Sequence, residues 1–309
     1  MTNNDIVTMD NINNYEAMSR LMGVDAVSSS SEEKKSSTLA RVKILHTAIM
    51  GEQEIGGKMK NIEVGEAGCY SLELPDGNTV YSKSIEVQPF MQRFSYKRYV
   101  QGNGKNSNPE NKGYYQKTVM ADSLNSDLHD THGSYNCGKP AGYIKDFKSL
   151  SESMQTLIKS IKRVRVIFGL VTLKDPIDSS GNSIKIDDNV PFIFEVDNRT
   201  SFKTSGEPFD KLAKRRHLPI QHTITFTTEE QKLPTGAVYF TAVAELNSAS
   251  KQISKDDADR VKYFLDWIKN HNDYVMKSHQ EHSKNNSLDQ DEKDLVDEFL
   301  GTPDLESVS

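Results

Sequence analysis

Two cysteines, Cys69 and Cys137, are all that the 309 residues contain. That is too few for a disulfide framework and suits a reducing compartment. No apolar run approaches the ~20 residues that a helix needs to span a bilayer. Met1-Thr-Asn-Asn-Asp has neither the basic start nor the apolar core of a secretion signal. The phosphate-binding pattern Gly-x4-Gly-Lys-Ser/Thr is missing, as are a serine-hydrolase elbow, paired zinc-protease histidines and a dinucleotide fingerprint. Hydrophobic residues make up only 35%, low enough that part of the length is expected to stay unfolded. These absences predict a cytoplasmic protein, not an enzyme, with no cofactor.

What is present is segregated charge. From Asp289 to Ser309 there are eight acidic residues and one base, Lys293, a local charge of −7 against −6 for the whole chain. Large apolar residues, Leu295, Val296, Phe299 and Leu300, sit among the acids. Such a tail can occupy a cationic groove on its own protein or offer an apolar–acidic peptide to partners. Residues 1–38 are rich in Asn and Ser and carry six acids against three bases. The domain reading is a disordered arm over 1–38, a folded body over 39–283 and a disordered acidic tail over 284–309.

The body reads as mainly β with helices, an α+β chain. Leu39-Ala-Arg-Val-Lys-Ile-Leu-His-Thr-Ala-Ile alternates as a half-buried strand does. Cys69-Tyr-Ser-Leu-Glu-Leu and Thr79-Val-Tyr-Ser-Lys-Ser-Ile-Glu-Val flank Pro75-Asp-Gly-Asn, a strong hairpin signal. A polar stretch over 101–142 predicts a long inserted loop. Asp146–Ser160 has helical spacing, and Val164–Leu173 follows as a β-branched strand. Further strands are expected at Val190–Val196, Pro219–Phe226 and Ala237–Val243, with a short basic helix over Pro208–His217. Over 254–279, Val261, Phe264, Leu265, Ile268 and Val275 form the stripe of an amphipathic C-terminal helix. Three strands, a helix, then further strands is the order of the oligonucleotide-binding (OB) barrel, and an OB-like antiparallel barrel is the expected architecture.

The chemistry concentrates between Lys83 and Lys117, where seven bases and two acids are interleaved with six aromatics. Cations follow phosphates and aromatic faces stack on unpaired bases, which is what single-stranded nucleic acid needs. In an extended strand Phe94 and Tyr96 share one face, joined by Phe90 if the strand runs that far, with Arg93 and Lys97 on the other. Candidate phosphate contacts are Arg93, Lys97, Arg98, Lys105 and Lys112. Candidate stacking residues are Tyr96, Tyr99, Tyr114 and Tyr115, read as more exposed than the two Phe. The turn Asn136-Cys-Gly-Lys-Pro adds Lys139. Two more basic islands, Lys139–Arg165 and Arg199–Arg216, extend the pattern. His129, His132 and Cys137 are candidate metal ligands whose spacing matches no common zinc module, so no metal is assigned.

The Phe90–Tyr99 segment and the Asp289–Leu300 tail together give a chain that resembles the single-stranded DNA-binding proteins of tailed bacteriophages. The resemblance implies a non-enzymatic protein that coats replication or recombination intermediates. It implies that partners are recruited through Asp294, Asp297, Glu298 and Phe299, although ten residues follow Phe299 here. It is compatible with self-association and gives no membrane role. The rivals are a metal-dependent nuclease or recombination enzyme using Glu195 and Asp197, and a virion or scaffold protein.

Overall fold

The computed structural model describes residues 39–55, 57–100, 113–124, 137 and 144–285. The arm 1–38 and the tail from 286 lie outside these, as do 101–112 and most of 125–143. The expected continuous loop over 101–142 is interrupted by a short strand. Strands and helices follow in the order β1 (Ala40–Ile44), β2 (Ile49–Ile55), β3 (Lys58–Gly65), β4 (Tyr70–Glu73), β5 (Thr79–Ser82), β6 (Ser84–Val100), β7 (Tyr114–Lys117), α1 (Glu152–Ser160), β8 (Lys162–Lys174), β9 (Val190–Val196), α2 (Arg199–Thr204), α3 (Glu207–Arg215), β10 (His222–Lys232), β11 (Val238–Ser250) and α4 (Lys255–Asn285). The mixed α+β class and the C-terminal helix agree with the sequence reading.

A nine-stranded sheet runs β11-β10-β6-β8-β9-β1-β4-β5, with β7 added to the far end of β6. β2 and β3 form a separate two-stranded ribbon. The expected barrel is corrected in two ways. β1 pairs with β9 in parallel, so the sheet is not wholly antiparallel. No ladder among the described residues joins β11 to β5, so it does not close. It curls instead. Tyr70 Oη donates to the Thr227 carbonyl at 2.9 Å, Thr228 Oγ1 to the Gly68 carbonyl at 2.6 Å, and the Phe240 amide to His46 Nδ1 at 3.1 Å.

Alternation along β8 sets the layers. Val164, Val166, Phe168 and Leu170 point to one core, and Ile167, Val171 and Leu173 to the other. A strand buried on both faces reads as a near-continuous apolar run. The first core is covered by α4 through Phe264 and Ile268. The second fills the concave side with Phe192, Phe194, Phe226 and Phe209 of α3. β6 follows β8 over its whole length, with one register shift between Pro89 and Met91. Proline has no amide for the ladder, so a bulge there is its natural place. Opposite it, a Cβ on Gly169 would collide with the Gln88 carbonyl oxygen.

Turn chemistry closes the hairpins. The Gly77 amide donates to the Leu74 carbonyl at 3.0 Å and the Gly236 amide to the Leu233 carbonyl at 2.8 Å. Both glycines have positive φ, 89° and 84°. Leu-Pro-Asp-Gly and Leu-Pro-Thr-Gly thus make the same turn, with proline pre-set at the first corner and glycine taking the left-handed position. α4 starts in a reciprocal cap: the Asp257 amide donates to Ser254 Oγ at 3.1 Å and the Ser254 amide to Asp257 Oδ2 at 3.0 Å. Midway, Asn272 Oδ1 accepts from the Met120 amide at 2.8 Å and its Nδ2 donates to the Met120 carbonyl at 3.0 Å.

Phe264 is fully buried and packs edge-on to Phe90 at 5.5 Å and tilted against Phe168 at 5.9 Å. Phe264→Ala is predicted to cost about 3–5 kcal/mol in urea unfolding. An unchanged midpoint would mean that α4 does not lie on this face.

Candidate nucleic-acid interface

The ladder of β6 and β7 places Tyr99 opposite Tyr115 and Lys97 opposite Lys117. Opposed residues share a face, so two aromatics and two cations from separate strands meet. The rings of Tyr99 and Tyr115 lie 5.2 Å apart at 64° and stay 52% and 59% exposed. Gly113 sits directly beneath, where a Cβ would collide with the Tyr99 ring. Lys97 Nζ is 5.7 Å from the Tyr115 ring centre.

Beside this pair lies a network of charges. β8 brings Lys162 opposite Lys97. Asp197, just past β9, accepts from Lys97 at 2.9 Å and from Lys162 at 3.3 Å. Glu195 of β9 accepts from Lys117 at 3.2 Å. Burial pushes the Glu195 carboxyl up, but the charge and hydrogen bond of Lys117, together with Lys97 and His271, outweigh it. The net result is a carboxyl held below its ordinary range. For Asp197 burial is likewise outweighed, by Lys97 and then Lys162. His271 of α4 stacks on Trp267 at 5.2 Å and 8°. Its own burial and the charge of Lys117 bring it down to about 4, with Glu195 opposing and Arg41 adding. The imidazole is therefore neutral at pH 7.

The reverse face of the same strands is different in kind. Arg165 is buried, with its guanidinium 5.1 Å from the Phe94 ring centre and 4.7 Å from that of Phe202. Its Nε donates to the Phe202 carbonyl at 3.1 Å, and Nη1 donates to Gln92 Oε1. Arg163 covers the same Phe202 ring at 5.3 Å. This arginine–phenylalanine stack fastens α2 to the sheet, and burial lowers the Arg165 pKa while Asp210 opposes. Arg165 is thus a structural cation, although it belongs to the second basic island.

The expected site residues separate accordingly. Tyr99, Tyr115 and Lys97 come together. Arg93 is half-buried, with Nη1 donating to the Gln92 carbonyl at 2.9 Å, and Tyr114 is half-buried on β7. Arg98 turns to the reverse face, where Nε donates to Gln116 Oε1 at 2.6 Å. Tyr96 is a correction: it is only 3% exposed, and its hydroxyl donates to the Leu124 carbonyl at 3.0 Å, so it has no face to offer a base. Lys105, Lys112, Lys139, Asp294, Asp297, Glu298 and Phe299 lie outside the described residues, as do His129 and His132. Cys137 is buried against Gln116, with burial pushing its thiol up to about 12. Among the described residues no three His, Cys, Asp or Glu side chains group as metal ligands, and no helix is long and apolar enough to cross a membrane.

Sequence reasoning missed the place of Lys117 and Lys162 in this face, and that of Gly113. The available signal was a lysine near the end of β6, at the end of β7 and at the start of β8, legible only once their pairing was known. The third basic island, on α2 and α3, exposes Lys203, Lys211, Lys214, Arg215 and Arg216, none of them in an ion pair with a described residue. No family model, no curated protein and no solved structure matches this chain.

The depressed His271 has a thermodynamic consequence. A folded pKa of about 4 lies below the ordinary 6.5, so on acidification the unfolded chain takes up this proton first. Stability should fall as pH drops from 6.5 toward 4, by at most about 1.4 kcal/mol per pH unit from this group. Urea midpoints across that window should fall less for His271→Phe, which keeps a flat ring on Trp267. Parallel curves would show that His271 is not buried as a neutral base.

Proposed function

We propose that this protein binds single-stranded DNA without sequence preference and coats it during replication or recombination. The observation that carries this reading is the exposed Tyr99–Tyr115 pair with Lys97 against it. Two rings in contact, open to solvent and next to an ammonium group, suit a flexible strand with unstacked bases and charged phosphates. A duplex hides its base faces, so the same surface would gain only the phosphate contacts from it. Arg93, Lys162 and the exposed cations of α3 supply further phosphate contacts on this reading. Lys105, Lys112 and Lys139 belong to segments that flank the aromatic pair in sequence.

The reading does not need a closed OB barrel. What it keeps from that expectation is a curled sheet presenting one strand face with aromatics and cations. The acidic tail, with Asp294, Asp297, Glu298 and Phe299, is assigned competition for the cationic surface and recruitment of replication or recombination proteins. Glu195 and Asp197 support binding rather than catalysis, because each carboxylate is already engaged by lysine. A divalent cation would have to displace those lysines first.

The test is fluorescence anisotropy with a labelled dT oligonucleotide and a duplex across a salt series. Tight, salt-sensitive binding to the single strand and much weaker binding to duplex are expected. Tyr99→Ala and Tyr115→Ala should each cost about 1–3 kcal/mol of binding while leaving the salt slope in place. Removing residues 289–309 should raise affinity, most at low salt. Failure to bind dT at 50 mM salt (on the order of the low end of a physiological series), with and without the tail, would overturn the reading.

A further inference from the structure

Lys97, Lys117 and Lys162 stand in one row across β7, β6 and β8, with Lys97 opposite both of the others. Neighbouring strands are about 4.8 Å apart, so three ammonium groups in such a row repel unless anions lie between them. The chain supplies two. Glu195 takes Lys117 at 3.2 Å, and a single oxygen of Asp197, Oδ2, takes Lys97 at 2.9 Å and Lys162 at 3.3 Å. An anionic oxygen shared by two ammonium groups is the arrangement that a phosphate oxygen adopts between two lysines. Lys97 is itself 17% exposed and needs an anion, whereas Asp197 at 32% and Lys162 at 57% leave the place open to an incoming group. Lys97 also contacts the exposed Tyr115 ring at 5.7 Å, so the anion position adjoins the stacking position.

We infer that Asp197 is a resident surrogate for a nucleic-acid phosphate: its carboxylate holds Lys97 and Lys162 in the free protein and yields them to the backbone of a bound strand. Asp197 thereby sets affinity and salt dependence from within the folded body. This role is separate from that of the acidic tail and rests on the nucleic-acid reading above. The free protein gains a satisfied lysine row, and binding becomes an exchange of one anion for another. Discrimination against weakly charged ligands follows, since only a group that replaces the carboxylate in full recovers its interaction.

The experiment compares wild type, Asp197→Asn and Lys162→Met, all full length, with labelled dT oligonucleotide in a salt series and by thermal unfolding with and without the oligonucleotide. Asp197→Asn should melt lower alone, regain more on adding oligonucleotide, and bind it more tightly. Its slope of log K against log salt should be steeper by about 0.7, one additional cation neutralised on a single strand. Lys162→Met should bind more weakly, with a slope shallower by a similar amount. A folded Asp197→Asn protein that binds no better than wild type overturns the surrogate role and leaves the carboxylate as a pin on the end of β9. If Asp197→Asn does not fold, Lys162→Met decides, and a slope equal to that of wild type overturns the inference. Absence of binding by wild type removes the nucleic-acid reading itself, a separate result.

Discussion

Everything in this fold leans on β8. It carries a near-continuous run of buried apolar residues on both faces, and it sits in the middle of the sheet between β6 and β9. A strand so placed cannot tolerate an uncompensated polar side chain in its middle third, so its charge is displaced to the ends. Lys162, Arg163 and Arg165 at one end and Lys174 at the other follow from that constraint. The candidate interface is therefore built where the central strand runs out of core. There β6 continues beyond the start of β8 as far as Val100, and β7 pairs with it.

The two faces at this end solve the same charge problem in opposite ways. On one, Arg165 is drawn inside and satisfied by aromatic rings, a carbonyl and an amide oxygen. A guanidinium suits this because it is weakly hydrated, planar and able to stack. On the other face lysines remain, with compact ammonium groups that hold their hydration and need discrete counter-ions. On the proposed reading it is that second face that exchanges its anions with a ligand. Counting bases along the sequence cannot separate the two kinds, since both lie in basic segments of similar composition.

Much of the architecture is legible in the sequence, and the reasons are local. Alternation located β1, β4, β5 and β6, β-branched residues located β8, the Pro-Asp-Gly-Asn turn located the β4–β5 hairpin, and helical spacing located α4. The division of Phe94 and Tyr96 from Arg93 and Lys97 also follows from alternation, and the ladder with β8 keeps it. Phe90 does not join Phe94, because the bulge at Pro89 resets the phase and sends Phe90 under α4. The ribbon of β2 and β3 was missed because its residues are mostly polar and carry little amphipathic signal. β7 was hidden in a polar stretch for the same reason. The parallel β1–β9 pairing joins segments some 150 residues apart in sequence, and nothing local encodes it. Tyr96 was misjudged because a tyrosine can be buried whenever its hydroxyl finds a carbonyl, here that of Leu124.

The exposed tyrosine pair has a plain structural account, and it is insufficient. Cross-strand aromatic pairs stabilise a two-stranded ladder by roughly 0.2–1 kcal/mol, and β7 is only four residues long, so some of that contact serves the hairpin. Hairpin stability alone is indifferent to which charges lie beside the rings. It gives no reason for Lys97 to reach one ring while bound to Asp197, or for Lys117 and Lys162 to flank it in register. Three lysines in a row are a cost that the fold offsets with two carboxylates, and purely structural needs would be met more cheaply by neutral residues. A surface that keeps both the cations and the rings, each partly satisfied and each still open to solvent, supports the proposed reading, in which the ligand bears charge and π-faces at short intervals.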